Sequence, residues 1–162
     1  MTMKIPSPIP GNTSIRNPQS AIRYWLPPLL WMVAIFFFST DYFSANNTNG
    51  LTVRILLWFD PQMSIEHLRQ GHYLVRKAAH LTVYAILALL LLRAFRAGSL
   101  RRWDWRRALY AFFIVSIYAL LDEYHQTFTQ SRSGSPDDSF IDMTGGSIAL
   151  LGAWLWSMWR KA

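Results

Sequence analysis

The chain has 162 residues, of which 52% are hydrophobic, and the apolar residues fall in long blocks, which argues against a small soluble domain. It has no cysteine, which excludes disulfides, thiolate catalysis and thiolate metal sites. The formal net charge is +7, but eleven of the sixteen Lys and Arg flank the apolar blocks on one side, a positive-inside signal rather than a nucleic-acid face.

Residues 1–20 are rich in Pro, Ser and Asn and predict a disordered cytoplasmic tail. The first apolar block starts near Tyr24 and lacks a small-residue cleavage site, so it reads as a span rather than a signal peptide. Residues 24–40 form that span, with Pro27 and Pro28 expected in its first turns, where their missing N–H groups cost little. A long outer loop follows, over residues 42–73. Within it, Thr48 and Asn49 are candidate caps for a short amphipathic helix over residues 50–59. Its stripe of Leu51, Ile55 and Trp58 suits either the outer leaflet or the end of a helix bundle. Asp60 and Pro61 end it, and Ser64 to His67 predict a short turn leading into the second span.

The second span is expected over residues 79–95, introduced by Arg76, Lys77 and His80. A basic link over residues 96–107 carries Trp103 and Trp105 as interfacial anchors. The third span, residues 108–121, runs into the stretch Asp122-Glu123-Tyr124-His125-Gln126. A polar loop holding Arg132 then leads to Asp137, Asp138 and the fourth span, residues 141–159. The fold expected is all-α: a four-helix transmembrane bundle, N-in and C-in, with a short amphipathic helix in the first outer loop. Eight of the nine acids and all four histidines then fall at the outer side.

Helical spacing aligns the polar residues. Lys77, His80 and Tyr84 share one face of the second span, Asp122 lies three before His125 and four before Gln126, and Asp138, Asp142 and Gly145 share a face of the fourth. Asp142 lies inside an apolar segment, where a carboxylate needs a proton or a cation. A common outward-facing pocket is therefore expected. Its ligand-binding candidates are Arg76, Lys77, His80, Tyr84, Asp122, Glu123, Gln126, Arg132, Asp138 and Asp142. His80, Asp122, Glu123 and His125 are the catalytic candidates, with His80 or His125 as general base. Two bland readings compete. Arg76 and Lys77 suit a snorkelling cap of the second span. Arg76 or Arg132 with Asp122, Glu123 or Asp138 suits an ion-pair lock between helices. Neither a metal nor another cofactor is expected, because no helix carries two histidines one turn apart. Ser133 and Ser135 are unconvincing nucleophiles.

In order and spacing, Lys77-x-x-His80-x-x-x-Tyr84, then Asp122-Glu123-x-His125-Gln126, then Arg132, Asp138, Asp142 and Gly145 resemble the VanZ-like membrane proteins. Phe38-Ser39 and Phe43-Ser44 are similar to that family's end of the first span. The resemblance covers roughly residues 22–158 and implies that residues 21–162 form one VanZ-like transmembrane domain. It implies a multi-pass protein of the bacterial cell (inner, cytoplasmic) membrane, with membrane lipids as partners. A lipid-linked wall precursor or a lipoglycopeptide is the ligand class it suggests, with glycopeptide (teicoplanin) resistance as the family's association. The family supplies no reaction, and two residues differ from its usual pattern. Val83 stands where many members carry Glu, and Asp142 where Asn is frequent.

Overall fold

The computed structural model describes residues 18–40, 45–97, 103–129 and 136–159. It holds five helices: α1 (Pro18–Phe38), α2 (Ala45–Phe59), α3 (Ile65–Arg96), α4 (Trp105–Gln126) and α5 (Pro136–Trp159). No strand occurs among the described residues. Residues 1–17, with most of the expected tail, lie outside them.

Helix α1 begins six residues before the expected start. Pro27 and Pro28 therefore lie in its interior rather than in its first turns. Each removes one i→i−4 bond, so the carbonyls of Arg23 and Tyr24 lose their helical donors. Both carbonyls belong to the basic end of the helix, where headgroups and water are within reach. Helix α2 also starts earlier than expected, at Ala45 rather than Gly50. The side chains of Thr48 and Asn49 lie outside the described residues.

Helix α3 departs most from expectation. Ser64 does not open a separate turn; it caps α3 itself, accepting from the His67 N–H at 3.3 Å. The helix then runs unbroken for 32 residues. At 1.5 Å per residue that is about 48 Å, against roughly 30 Å of bilayer hydrocarbon. It stops at Ala97, whose left-handed conformation (φ 44°) turns its N–H back to the Arg93 and Ala94 carbonyls. Arg93 and Arg96 complement the negative end of the helix dipole. Helix α4 starts on Asp104, whose carboxylate accepts from the Arg106 N–H at 3.0 Å.

Helix α3 is central and packs against each of the other four. Small residues set how closely the helices approach. A methyl group at Gly145 would collide with the Leu81 carbonyl, so the α5 backbone rests directly on α3. Gly146 instead makes room for the Val115 side chain of α4. Ala88, Ala111 and Ala119 line the same buried seam with Tyr84, Leu87 and Leu91. Close packing through small residues is how helices associate where lipid removes the hydrophobic drive. Two long-range bonds tie α1 in: the Tyr118 hydroxyl donates to the Met32 carbonyl at 2.6 Å, and Trp31 Nε1 to the Val83 carbonyl at 2.9 Å.

The outside is greasy. Leu29, Leu30, Phe37, Phe113, Ile117, Leu120, Ile148 and Leu151 are all more than half exposed. Such a girdle belongs against an apolar phase rather than water. The window Ala21–Phe38 of α1 and an 18-residue window within α3 are long and apolar enough to cross a membrane, with mean hydropathies of 1.5 and 1.9. Helices α4 and α5 have 22 and 24 residues, but they carry Asp122, Glu123, Asp138 and Asp142 and do not meet that criterion.

Candidate functional site

The polar residues gather at one end of the bundle, opposite the end marked by Arg93, Arg106 and Arg107. Helices α3 and α5 run parallel there and meet in register, and three successive contacts follow the seam inward. In the outermost, Arg76 Nη2 lies 3.4 Å from Asp138 Oδ2, and Lys77 Nζ bonds Asp138 Oδ1. One turn deeper, His80 Nδ1 lies 3.1 Å from Asp142 Oδ1. Deeper again, Leu81 and Gly145 bring the two backbones together. The i, i+3 and i, i+4 spacings of Lys77, His80, Asp138 and Asp142 are what allow the two faces to match turn by turn.

Helix α4 closes the third side. Gln126 Nε2 donates to Asp122 Oδ2 and to Glu123 Oε1, both at 3.2 Å. Tyr84 lies within electrostatic reach of Asp122 and Asp142. The cluster is packed shut: Gln126 and Asp142 are 0% exposed, Tyr84 1%, and Asp122, Glu123 and Asp138 are buried. Access is from the rim, where the Arg76 side chain is 31% exposed. Four buried carboxylates are costly unless cations and donors compensate them. Arg76 and Lys77 direct their bonds to Asp138, while Asp142 meets the His80 imidazole and Asp122 and Glu123 accept from the Gln126 amide. Asp142 Oδ2 and Ser139 Oγ are buried without hydrogen-bond partners among the described residues, and the Tyr84 hydroxyl faces the Asp122 carboxylate. One ligand atom from each of His80, Glu123 and Asp142 lies within 4.8 Å of the other two, and each comes from a different helix.

A family model described as VanZ/LLP1 matches residues 24–159. The chain belongs to the VanZ/LLP1 family. Among curated proteins and solved structures no significant match was found. The matched region spans every residue of the cluster, so the polar end is part of the VanZ/LLP1 domain itself.

Nine of the residues singled out from the sequence meet here: Arg76, Lys77, His80, Tyr84, Asp122, Glu123, Gln126, Asp138 and Asp142. Arg132, Ser133 and Ser135 lie outside the described residues. His125 does not join the cluster; its ring stacks on Phe36 of α1, with centroids 4.5 Å apart. Val83 offers its carbonyl to Trp31. Sequence reasoning passed over two features of this VanZ/LLP1 chain. Ser139 is 2% exposed and sits three residues before Asp142, a spacing that points to a shared face. Glu66, Arg69, Gln70, His72, Tyr73 and Arg76 line an open cleft of about 560 Å³ on the outer arm of α3. The signal for the cleft was hidden because residues 65–73 read as loop.

Proposed function

We propose that this VanZ/LLP1 protein is a multi-pass protein of the bacterial inner membrane, N-in and C-in, whose polar end faces outward and binds an anionic ligand carried on a lipid or an amphiphile. A lipid-linked wall precursor or a lipoglycopeptide has the required chemistry: a phosphate or carboxylate held near the headgroups by an apolar chain. Glycopeptide (teicoplanin) resistance is the family-level association, and binding of this kind is the route by which this chain would contribute to it. The observation that carries the reading is the position of Arg76. It bonds buried Asp138 on one side and lines the open cleft on the other, beside Arg69. A guanidinium held this way offers its free donors to a phosphate or carboxylate.

Native mass spectrometry of the detergent-purified protein, with its co-purified lipids, tests the proposal. A specific anionic lipid retained by the wild type and lost from Arg69→Ala/Arg76→Ala is the expected result. No retained lipid, or the same lipids in both proteins, would overturn it.

A second reading is a membrane hydrolase or transferase acting on a phosphate or ester of such a lipid. The His80–Asp142 pair favours it, because a buried carboxylate fixes the orientation of an imidazole that can then move a proton. On this reading His80→Ala abolishes turnover of a lipid phosphate or ester while the melting temperature in detergent stays put. A large fall in melting temperature with no activity to lose would assign the pair to structure instead.

A further inference from the structure

We propose that His80, Glu123 and Asp142 form a site for one divalent transition-metal ion, with zinc the best fit. The inference is independent of the ligand-binding reading. It begins with geometry. Helices α3, α4 and α5 each contribute one ligand atom, all within 4.8 Å of one another. Zinc binds imidazole nitrogen and carboxylate oxygen at about 2.0–2.2 Å, so ligands sharing a tetrahedral ion stand roughly 3.3–3.6 Å apart. Closing the site on an ion takes rotamer adjustments of about an ångström, without moving a helix.

The second observation is an orphaned atom. Asp142 is 0% exposed, and its Oδ2 has no hydrogen-bond partner among the described residues. A buried carboxylate oxygen that no donor satisfies is costly to keep, and a cation would satisfy it. Charge adds a third. Arg76 and Lys77 are bonded to Asp138 nearer the surface, and Asp142 bonds the His80 imidazole. With His80 as a neutral ligand, a dication supplies the positive charge beside Asp142. Gln126 already holds Glu123 by its Oε1, the kind of outer contact that orients a metal-binding carboxylate.

The donor set selects the ion. One imidazole and two carboxylates suit zinc, or manganese as the near alternative. Calcium wants six to eight oxygens, which this closed cluster does not offer. Three protein ligands leave one position for water or a substrate oxygen, and the Tyr84 hydroxyl lies within the same cluster, facing Asp122. The competing occupant is protons on the inner carboxylates, and the experiment separates the two.

The full chain, carrying an affinity tag without histidine, is purified in detergent without chelator and its metals are counted by mass spectrometry. About one zinc or manganese ion per chain is expected. After chelation, adding zinc or manganese chloride should raise the melting temperature in a concentration-dependent way. That rise should vanish in His80→Gln and in Glu123→Gln, the latter preserving volume and the Gln126 contact. Wild type alone decides the matter if the variants fold poorly. A metal-free preparation that shows no shift with either ion would overturn the site in favour of protonated carboxylates. An unchanged shift in a well-folded His80→Gln/Asp142→Asn double variant would overturn it in favour of binding elsewhere.

Discussion

At the scale of single residues, Asp138 bonds two cations, Arg76 and Lys77. Asp138→Asn leaves two cations facing a neutral amide. Breaking a buried pair costs about 3–5 kcal/mol, and the low end applies because the Arg76 side chain, 31% exposed, can turn to water or headgroups. Asp104 is a fair comparison. It pairs with Arg107 at 3.1 Å near the surface, where such pairs contribute about 0–1 kcal/mol, and Asn keeps its capping role. Melting both variants in detergent should show a clear drop for Asp138→Asn and almost none for Asp104→Asn; equal drops would refute the distinction. Single residues were also where the sequence was most legible. An acid inside an apolar helix demanded a partner, and spacing offered Lys77, His80 and Tyr84 of the second span, with His80 and His125 both open as the imidazole beside it. His125 was misleading for a simple reason. Adjacent helical residues point about 100° apart, so with Gln126 turned into the cluster its neighbour faces α1.

At the scale of elements, the α3–α5 seam depends on a missing side chain. Gly145→Ala would drive a methyl into the Leu81 carbonyl, one residue from His80 and three from Asp142. Overpacking of this kind costs about 1–3 kcal/mol. Here the two helices must part, so the His80–Asp142 contact lengthens as well. Gly152, on the same helix, has open space where a Cβ would stand. Gly152→Ala should therefore be neutral or stabilising by up to about 1 kcal/mol, from helix propensity alone. A side-by-side melt checks this, and a Gly145→Ala protein as stable as wild type would show that the seam is soft. Element boundaries were less legible than the residues on them. Hydropathy finds where a helix lies in an apolar phase and is silent about its continuation outside. Residues 65–73 of α3 are mixed in character, held by the Ser64 cap and by pairs such as Gln70 with Glu66 at 3.2 Å, so they read as loop. The early starts of α1 and α2 were missed for the same reason.

At the scale of the whole molecule, charge separates two ends. Arg93, Arg106 and Arg107 stand at one, and the His80 cluster at the other. The proposed N-in, C-in arrangement puts the basic end in the cytoplasm. Since the chain has no cysteine, single cysteines can be introduced without removing any background. Gln62→Cys, in the exposed turn before α3, should react with a membrane-impermeant maleimide in intact spheroplasts. Arg106→Cys, exposed at the start of α4, should react only after permeabilisation. Equal labelling of both would overturn the arrangement. The all-helical class was plain from the apolar blocks, and so was the segregation of acids from bases. What the sequence could not convey was closure. Whether polar residues line an open cavity or interlock depends on helix approach, and that is set by where Gly145 and Gly146 meet α3 and α4.

The length of α3 has a mechanical meaning. The cleft residues Glu66 to Arg76 and the half-buried His80 ride on one uninterrupted rod, with no proline between them. A stiff rod cannot bend to absorb a load at its tip; it tilts as a lever does. The nearest fulcrum is the Leu81–Gly145 contact, immediately below His80. Anything that pulls on the outer arm therefore shifts His80 against Asp142, and anything that clamps His80 to Asp142 steadies the arm.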